Sequence, residues 1–233
     1  MSKRFYENVT VEESPEGFVL MLDQHLLKTP AKNNLVLPNE QIAQLLAQEW
    51  AACEEKIDPM AMPYNRLVNT SFDRVPDNIQ GLADEFTAYT NNDLLCYFAS
   101  HPDSLVARQH EIWKPLLDWC NARFDVSLKI VEGIQPIEQS PETLARMRHV
   151  YLKQPEFTLR MGALSHATAL MGSAVLALAL EAQEINSEQA YQAAFLDEHF
   201  QMEQWGIDEE AQKRLLSRQQ EIDEVSRFFG VLG

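Results

Sequence analysis

The hydrophobic pattern of the chain changes its period once, near residue 60. Before that point apolar and polar positions alternate, as they do on strands buried on one face. The stretch RFYENVTVEE (4–13) alternates, FVLML (18–22) follows a turn at Pro15-Glu16-Gly17, and Leu26-Leu27-Lys28 makes a short return after Asp23-Gln24. Asn33-Asn34 turns the chain into Leu35-Val36-Leu37. Asn39 then suits the N-cap of a helix with Ile42, Leu45, Leu46 and Trp50 on one face. Residues 1–60 are therefore expected to form a β-rich domain, a small antiparallel sheet with one covering helix.

Beyond Asp58-Pro59 the period is helical almost to the end. Candidate helices cover 64–75, 77–90, 102–123, 141–153, 157–182 and 187–206. Pro76 separates the first two and Pro115 lies inside the third, where a kink is expected. Residues 92–100 fit either a short strand or a helix end, and 126–132 fit a lone strand. The expected class is α+β, with a larger helical domain over 61–233. Within it, 157–182 is the most apolar segment. Met161 to Leu180 holds no Asp, Glu, Lys or Arg and is about long enough to cross a bilayer. Ser165, His166, Thr168 and Ser173 interrupt it, and no basic anchor follows it. Its small residues, Gly162, Ala163, Ala167, Gly172 and Ala174, instead suit a central bundle helix that neighbours approach closely.

The segment SEQAYQAAFLDEHFQMEQWGIDEE (187–210) carries the most distinctive pattern. At 100° per residue Tyr191, Ala194, Phe195, Met202 and Trp205 share one arc, the stripe of a core-facing helix. Glu198 falls inside that arc, with Asp197 and Gln201 beside it and Leu196 and Phe200 opposite. A carboxylate in an apolar stripe needs a partner, either an internal cation or N–H or a group brought by another molecule. Trp205-Gly206 is expected to close the helix in the left-handed manner, and Asp208-Glu209-Glu210 to open the next.

The bulk numbers narrow the classes. With 233 residues, 45% hydrophobic and 23% charged, the chain can bury a real core. A net charge of −16 disfavours nucleic acid and anionic membranes as partners. Between Glu181 and Glu224 twelve acids meet three basic residues, so the charge concentrates near the C-terminal end. Three scattered cysteines, Cys53, Cys96 and Cys120, fit a reducing compartment better than a disulfide framework or a zinc site. The N-terminus lacks an apolar signal core, so a cytoplasmic protein, or a mature form already cleaved, is expected. No integral membrane role is expected.

Catalytic motifs are absent from the sequence. No G-x-x-x-x-G-K-[ST] occurs and no two glycines come closer than three residues, which removes the P-loop and the dinucleotide fingerprint respectively. The G-x-S-x-G and H-E-x-x-H patterns do not occur. Asp197, Glu198, His199 and Glu203 could form a metal or acid–base cluster, but no histidine has a Glu three residues before it, as a di-metal bundle requires. No metal or cofactor is expected. Lys28-Thr29-Pro30 could be a phosphate-binding turn or an ordinary solvated loop. Trp113 and Trp119, six apart, read as core or helix-seam residues.

Seven segments in order carry a resemblance that spans nearly the whole chain. They are LDQHLLKTPAKNNLVLP (22–38), EW (49–50), IDPMAMPYNRLVNTSFDRV (57–75), DLLCYFA (93–99), RQHEIWKPLLDW (108–119), MGSAVLALAL (171–180) and DEHFQMEQWGID (197–208). Together they resemble the assembly chaperones of the catalytic head of F-type ATP synthase that handle its alpha subunit. These comprise mitochondrial assembly factor 2 and its alphaproteobacterial relatives. The resemblance implies a β-rich N-terminal part, a helical C-terminal part and no catalysis. It implies a partner, unassembled alpha subunit, held soluble by a monomeric chaperone until beta subunit takes over its surface. In a eukaryotic form that would place the protein in the mitochondrial matrix. It points to Asp197, Glu198, Gln201, Glu203, Trp205, Gly206 and Asp208 as client-contact candidates, with Lys28, Thr29, Pro30, Arg66, Asp93 and Trp113 as further motif positions. Two other classes stay open: an enzyme using the Asp197/Glu198/His199/Glu203 cluster, and a structural subunit with an acidic docking face.

Overall fold

Asn39 shows how local sequence sets the elements. Its side chain accepts the Ile42 N–H at 2.9 Å and starts a 13-residue helix, as its place before an apolar-periodic run predicts. A computed structural model describes residues 2–133, 135–153, 157–206 and 208–233. In chain order its strands are β1 (Ser2–Lys3), β2 (Val9–Ser14), β3 (Gly17–Leu22), β4 (His25–Leu26), β5 (Lys56–Ile57), β6 (Tyr97–Phe98) and β7 (Val131–Glu132). The helices begin with α1 (Glu40–Ala52), α2 (Pro63–Arg74), α3 (Ile79–Asn91), α4 (Asp103–Phe124) and α5 (Pro141–Leu152). They continue with α6 (Phe157–Met171), α7 (Ala174–Glu181), α8 (Ser187–Ala194), α9 (Leu196–Trp205) and α10 (Glu209–Leu232). The α+β class expected from the two periods is the one observed.

The chain forms two compact units. The first comprises Met1–Ile79, Pro155–Ala163 and Arg227–Gly233. It thus runs past the change of period at residue 60 and includes α2. Its three-stranded antiparallel sheet has the order β2-β3-β4. The Pro15-Glu16 turn joins β2 to β3, with Ser14 opposite Gly17. Leu35-Val36-Leu37 does not form a regular strand. Leu37 makes one bridge to Phe18, exchanging both backbone hydrogen bonds at 2.8 Å, and a Cβ on Gly17 would meet the Leu37 carbonyl. Leu20, Leu22, Leu35 and Leu37 are buried, and α1 covers them with Ile42, Ala43 and Leu46. Glu49 then caps α2, accepting the Tyr64 and Asn65 N–H groups at 2.8 Å. Trp50 Nε1 donates to buried Asn65 at 2.6 Å.

Of the small residues expected to allow close approach, Gly162 does so where α6 meets α2, whereas a Cβ on Gly172 would meet nothing within 4 Å. A Cβ on Gly162 would lie 2.0 Å from Ser71 Oγ and 2.9 Å from Ser71 Cβ. Gly162→Ala should therefore lower stability by about 1–3 kcal/mol. Chemical denaturation would measure this, and Ser71→Gly in the same chain should restore part of the loss.

The second unit comprises Gln80–Gln154 and Leu164–Ser226. Its centre is α7, where every residue from Ala174 to Leu180 is buried. The single helix expected over 157–182 is two helices. Gly172, at φ 65°, ends α6, and the Ser173 side chain caps α7 by accepting the Leu176 N–H at 3.0 Å. Among the described residues no helix is long and apolar enough to cross a membrane. Asp93 explains the break. It is fully buried and accepts Ser173 Oγ at 2.7 Å and the Leu95 and Val175 N–H groups at 3.1 Å. A carboxylate at the start of α7 also meets the positive end of the helix dipole. Burial nevertheless pushes its pKa up to about 6, against the hydrogen bonds that favour the ion. The ambiguous 92–100 segment is a turn of 3-10 helix followed by β6, which pairs in parallel with β7.

Candidate functional site

The helix expected over 187–206 is interrupted at Phe195, whose backbone (φ −118°, ψ 27°) separates α8 from α9. This resets the helical phase. Tyr191 and Ala194 of the expected stripe are buried, but Trp205 is 81% exposed and Phe195 and Met202 are half-buried. The buried face of α9 is the opposite one, Leu196 and Phe200. Glu198 is exposed, so the expectation of a desolvated carboxylate at that position is overturned.

Two neighbouring carboxylates hold α9 in place. Asp197 accepts Gln109 Nε2 at 2.7 Å, and fully buried Gln109 accepts the Ala99 N–H at 2.7 Å through its oxygen. Glu203 takes both oxygens to Arg108 at 2.9 Å, and the Arg108 guanidinium lies 5.4 Å from the centre of the Phe200 ring. The Arg108 hydrogen bond holds the Glu203 carboxyl below its ordinary pKa. One turn along α4 from Gln109, buried Trp113 donates to the Ala193 carbonyl at 2.9 Å. Arg108 and Gln109 were not singled out from sequence. The signal was their spacing, which puts Gln109 on the same face of α4 as Trp113.

His199 joins the two short helices. Its Nε2 lies 3.0 Å from the Tyr191 hydroxyl and its Nδ1 3.1 Å from Gln192 Oε1. Burial lowers its pKa although Glu198, Glu203 and Glu188 pull the other way. Asp197, His199 and Glu203 therefore each answer to a different partner. Among the described residues no group of three His, Cys, Asp or Glu is placed to hold a metal.

At the far end of α9 the Gly206 N–H closes the last turn on the Met202 carbonyl at 3.0 Å. Gly206 has φ 94° and ψ 168°, a region open to glycine but not the left-handed helical one. Asp208 caps α10, accepting the Glu210 and Ala211 N–H groups at 2.8 and 3.1 Å. What remains to solvent is a strip of Glu198, Gln201, Met202 and Trp205 on a helix fixed from behind and capped at its end. Of the other motif positions, Asp93 and Trp113 lie in the core of the second unit, whereas Lys28, Thr29, Pro30 and Arg66 line a groove of the first.

The division of labour between Asp197 and Glu198 is testable. Asp197→Ala leaves the buried Gln109 amide without its acceptor and should lower stability by about 1–3 kcal/mol. Glu198→Gln should leave the melting temperature unchanged, and thermal melting of the two variants side by side checks both.

Residues 3–121 match the model of the ATP12 chaperone protein family. The chain belongs to the ATP12 chaperone family. Atp12 from Paracoccus denitrificans superposes with a TM-score of 0.92 at 34% identity, covering 100% of this chain and 99% of that one. The Atu1473 protein of Agrobacterium tumefaciens superposes with a TM-score of 0.90 at 40% identity, covering 99% and 85%. The mitochondrial protein atp12 of Schizosaccharomyces pombe is 22% identical over 221 residues, 90% of this chain and 75% of that protein. Membership in the ATP12 family carries the role of a chaperone in ATP synthase assembly.

Proposed function

We propose that this protein binds the unassembled alpha subunit of F-type ATP synthase and keeps it from aggregating until beta subunit replaces the chaperone. The observation that supports this reading is the exposed strip on α9. A tryptophan 81% exposed beside a half-buried methionine, with an exposed carboxylate that has no ion-pair partner among the described residues, is an unusual use of solvent-facing surface. Trp205 is the kind of side chain that dominates binding energy at interfaces, and Glu198 supplies charge specificity. Arg108 and Gln109 hold the helix from behind, so little ordering is needed on binding.

A chaperone of this kind works by competition. It covers an apolar surface and yields when the true partner covers that surface better, so nucleotide need not drive release. The protein acts as a monomer and without catalysis, in the bacterial cytoplasm or the mitochondrial matrix. Calorimetry with Mg-ATP should show no micromolar binding. Capture of the alpha subunit by the chain from its own cell extract tests the client assignment. Capture of other proteins without alpha subunit would overturn it.

A further inference from the structure

We infer that the first unit carries a second client contact, a groove that takes an extended acidic peptide segment. The inference rests on the client-binding reading above but on different residues. The groove has a volume of about 380 Å³, and Phe5, Leu26, Leu27, Trp50, Ile57 and Met62 form its apolar lining. Phe5 is 66% exposed and Leu26 38%, so the lining opens to solvent. Met60, 72% exposed, extends the apolar surface beside the rim, with its sulfur 3.6 Å from Arg66 Nη1.

Three polar features describe the occupant. Lys28 and Arg66 stand on the groove, and neither is paired with a carboxylate among the described residues. In a chain of net charge −16, two such cations on one apolar groove select an acidic ligand. The third feature is Asn69 on the groove wall, whose buried Oδ1 accepts no hydrogen bond among the described residues. That acceptor calls for an N–H group.

The alternatives fit less well. A phosphate would need the backbone and hydroxyl donors of the Lys28-Thr29-Pro30 turn. Those donors are already spent on Asp73, which accepts the Thr29 hydroxyl, the Ala31 N–H at 3.1 Å and Asn33 Nδ2 at 2.8 Å. They hold the Asp73 carboxyl below its ordinary pKa, overcoming a burial that acts to raise it. A fatty acid would fill the lining and meet the cations, yet it brings no N–H to Asn69. A peptide supplies an apolar side chain, a neighbouring carboxylate and a backbone N–H together.

The probe is a blocked decapeptide of alternating leucine and glutamate, titrated into the ¹⁵N-labelled full chain. Shifts are expected at Leu26, Asn69 and the Trp50 indole N–H. Lys28→Glu/Arg66→Glu should bind the peptide about tenfold more weakly or worse. That variant should melt like the parent, since neither cation has a carboxylate partner to lose. No shifts at these positions, or equal binding of a leucine–lysine peptide, would overturn the inference. Decanoate binding as tightly as the peptide would also overturn it, in favour of a lipid. A parallel measurement with intact alpha subunit separates this inference from the one it rests on. Alpha subunit binding the double variant as tightly as the parent removes the groove and leaves the chaperone reading standing. Peptide binding in the groove with no alpha-subunit binding by the parent removes the client reading.

Discussion

Trp205→Ala should weaken binding to the alpha subunit by about 2 kcal/mol or more while barely changing stability. The asymmetry follows from position. A side chain 81% exposed has few native contacts to lose, so its removal is a small perturbation of the free protein. Burying an indole against a partner removes roughly 150–250 Å² from water, which at about 25 cal/mol per Å² is a gross gain of about 4–6 kcal/mol. Ordering and desolvation consume part of it, and the remainder is still a large share of a micromolar-to-nanomolar affinity. Fluorescence-detected titration of alpha subunit against parent and variant, with melting curves for both, would show whether the loss falls on binding alone.

The largest effect on the fold should come from Asp93→Ala. That change strands the Ser173 hydroxyl and the Leu95 and Val175 N–H groups in a fully buried site. With each orphaned donor costing about 1–3 kcal/mol, a loss of about 3–5 kcal/mol is expected. This is a large share of a typical stability of about 5–15 kcal/mol. Asp93 also gives stability a definite pH dependence. Its folded pKa, about 6, lies above the unfolded value of 3.8, so between those values the folded state binds more protons. The associated stabilisation is fully present below pH 3.8 and is lost as pH rises through about 6. Asp93→Asn does not titrate, so the stability gap between parent and variant should widen as pH falls from 7 to 5. Denaturant titrations across that range would test it, and a gap that stays constant would show that Asp93 does not titrate there.

What the sequence made legible is what local rules control. Asn39 before Ile42 and Leu45 marks α1, and the period-2 run with Pro15-Glu16-Gly17 marks the β2–β3 hairpin. Family membership was legible because its motifs contain structural necessities, such as Glu49 capping α2 and Asp93 holding Ser173 at the start of α7. The two misread helices share one cause. A helical wheel assumes an unbroken helix, and the chain breaks two of them. Gly172-Ser173 divides one because Asp93, about 80 residues earlier in the chain, offers acceptors for a new N-terminus. Phe195 divides the other, and the phase shift turns the Glu198–Met202–Trp205 strip from an expected core face to an exposed one. The partners that fix the orientation of α9, Arg108 and Gln109, lie some 90 residues away, beyond the reach of periodicity.

Client recognition is proposed to lie on that exposed strip, with Glu198 as its charge. The most direct measurement is the affinity of Glu198→Lys for purified alpha subunit, taken beside its melting curve. Glu198 is exposed, so the variant should fold and melt like the parent. Its affinity should fall by about tenfold or more, because the reversed charge meets a desolvated contact. Unchanged affinity in a normally folded Glu198→Lys chain would contradict the account and move the client site off α9.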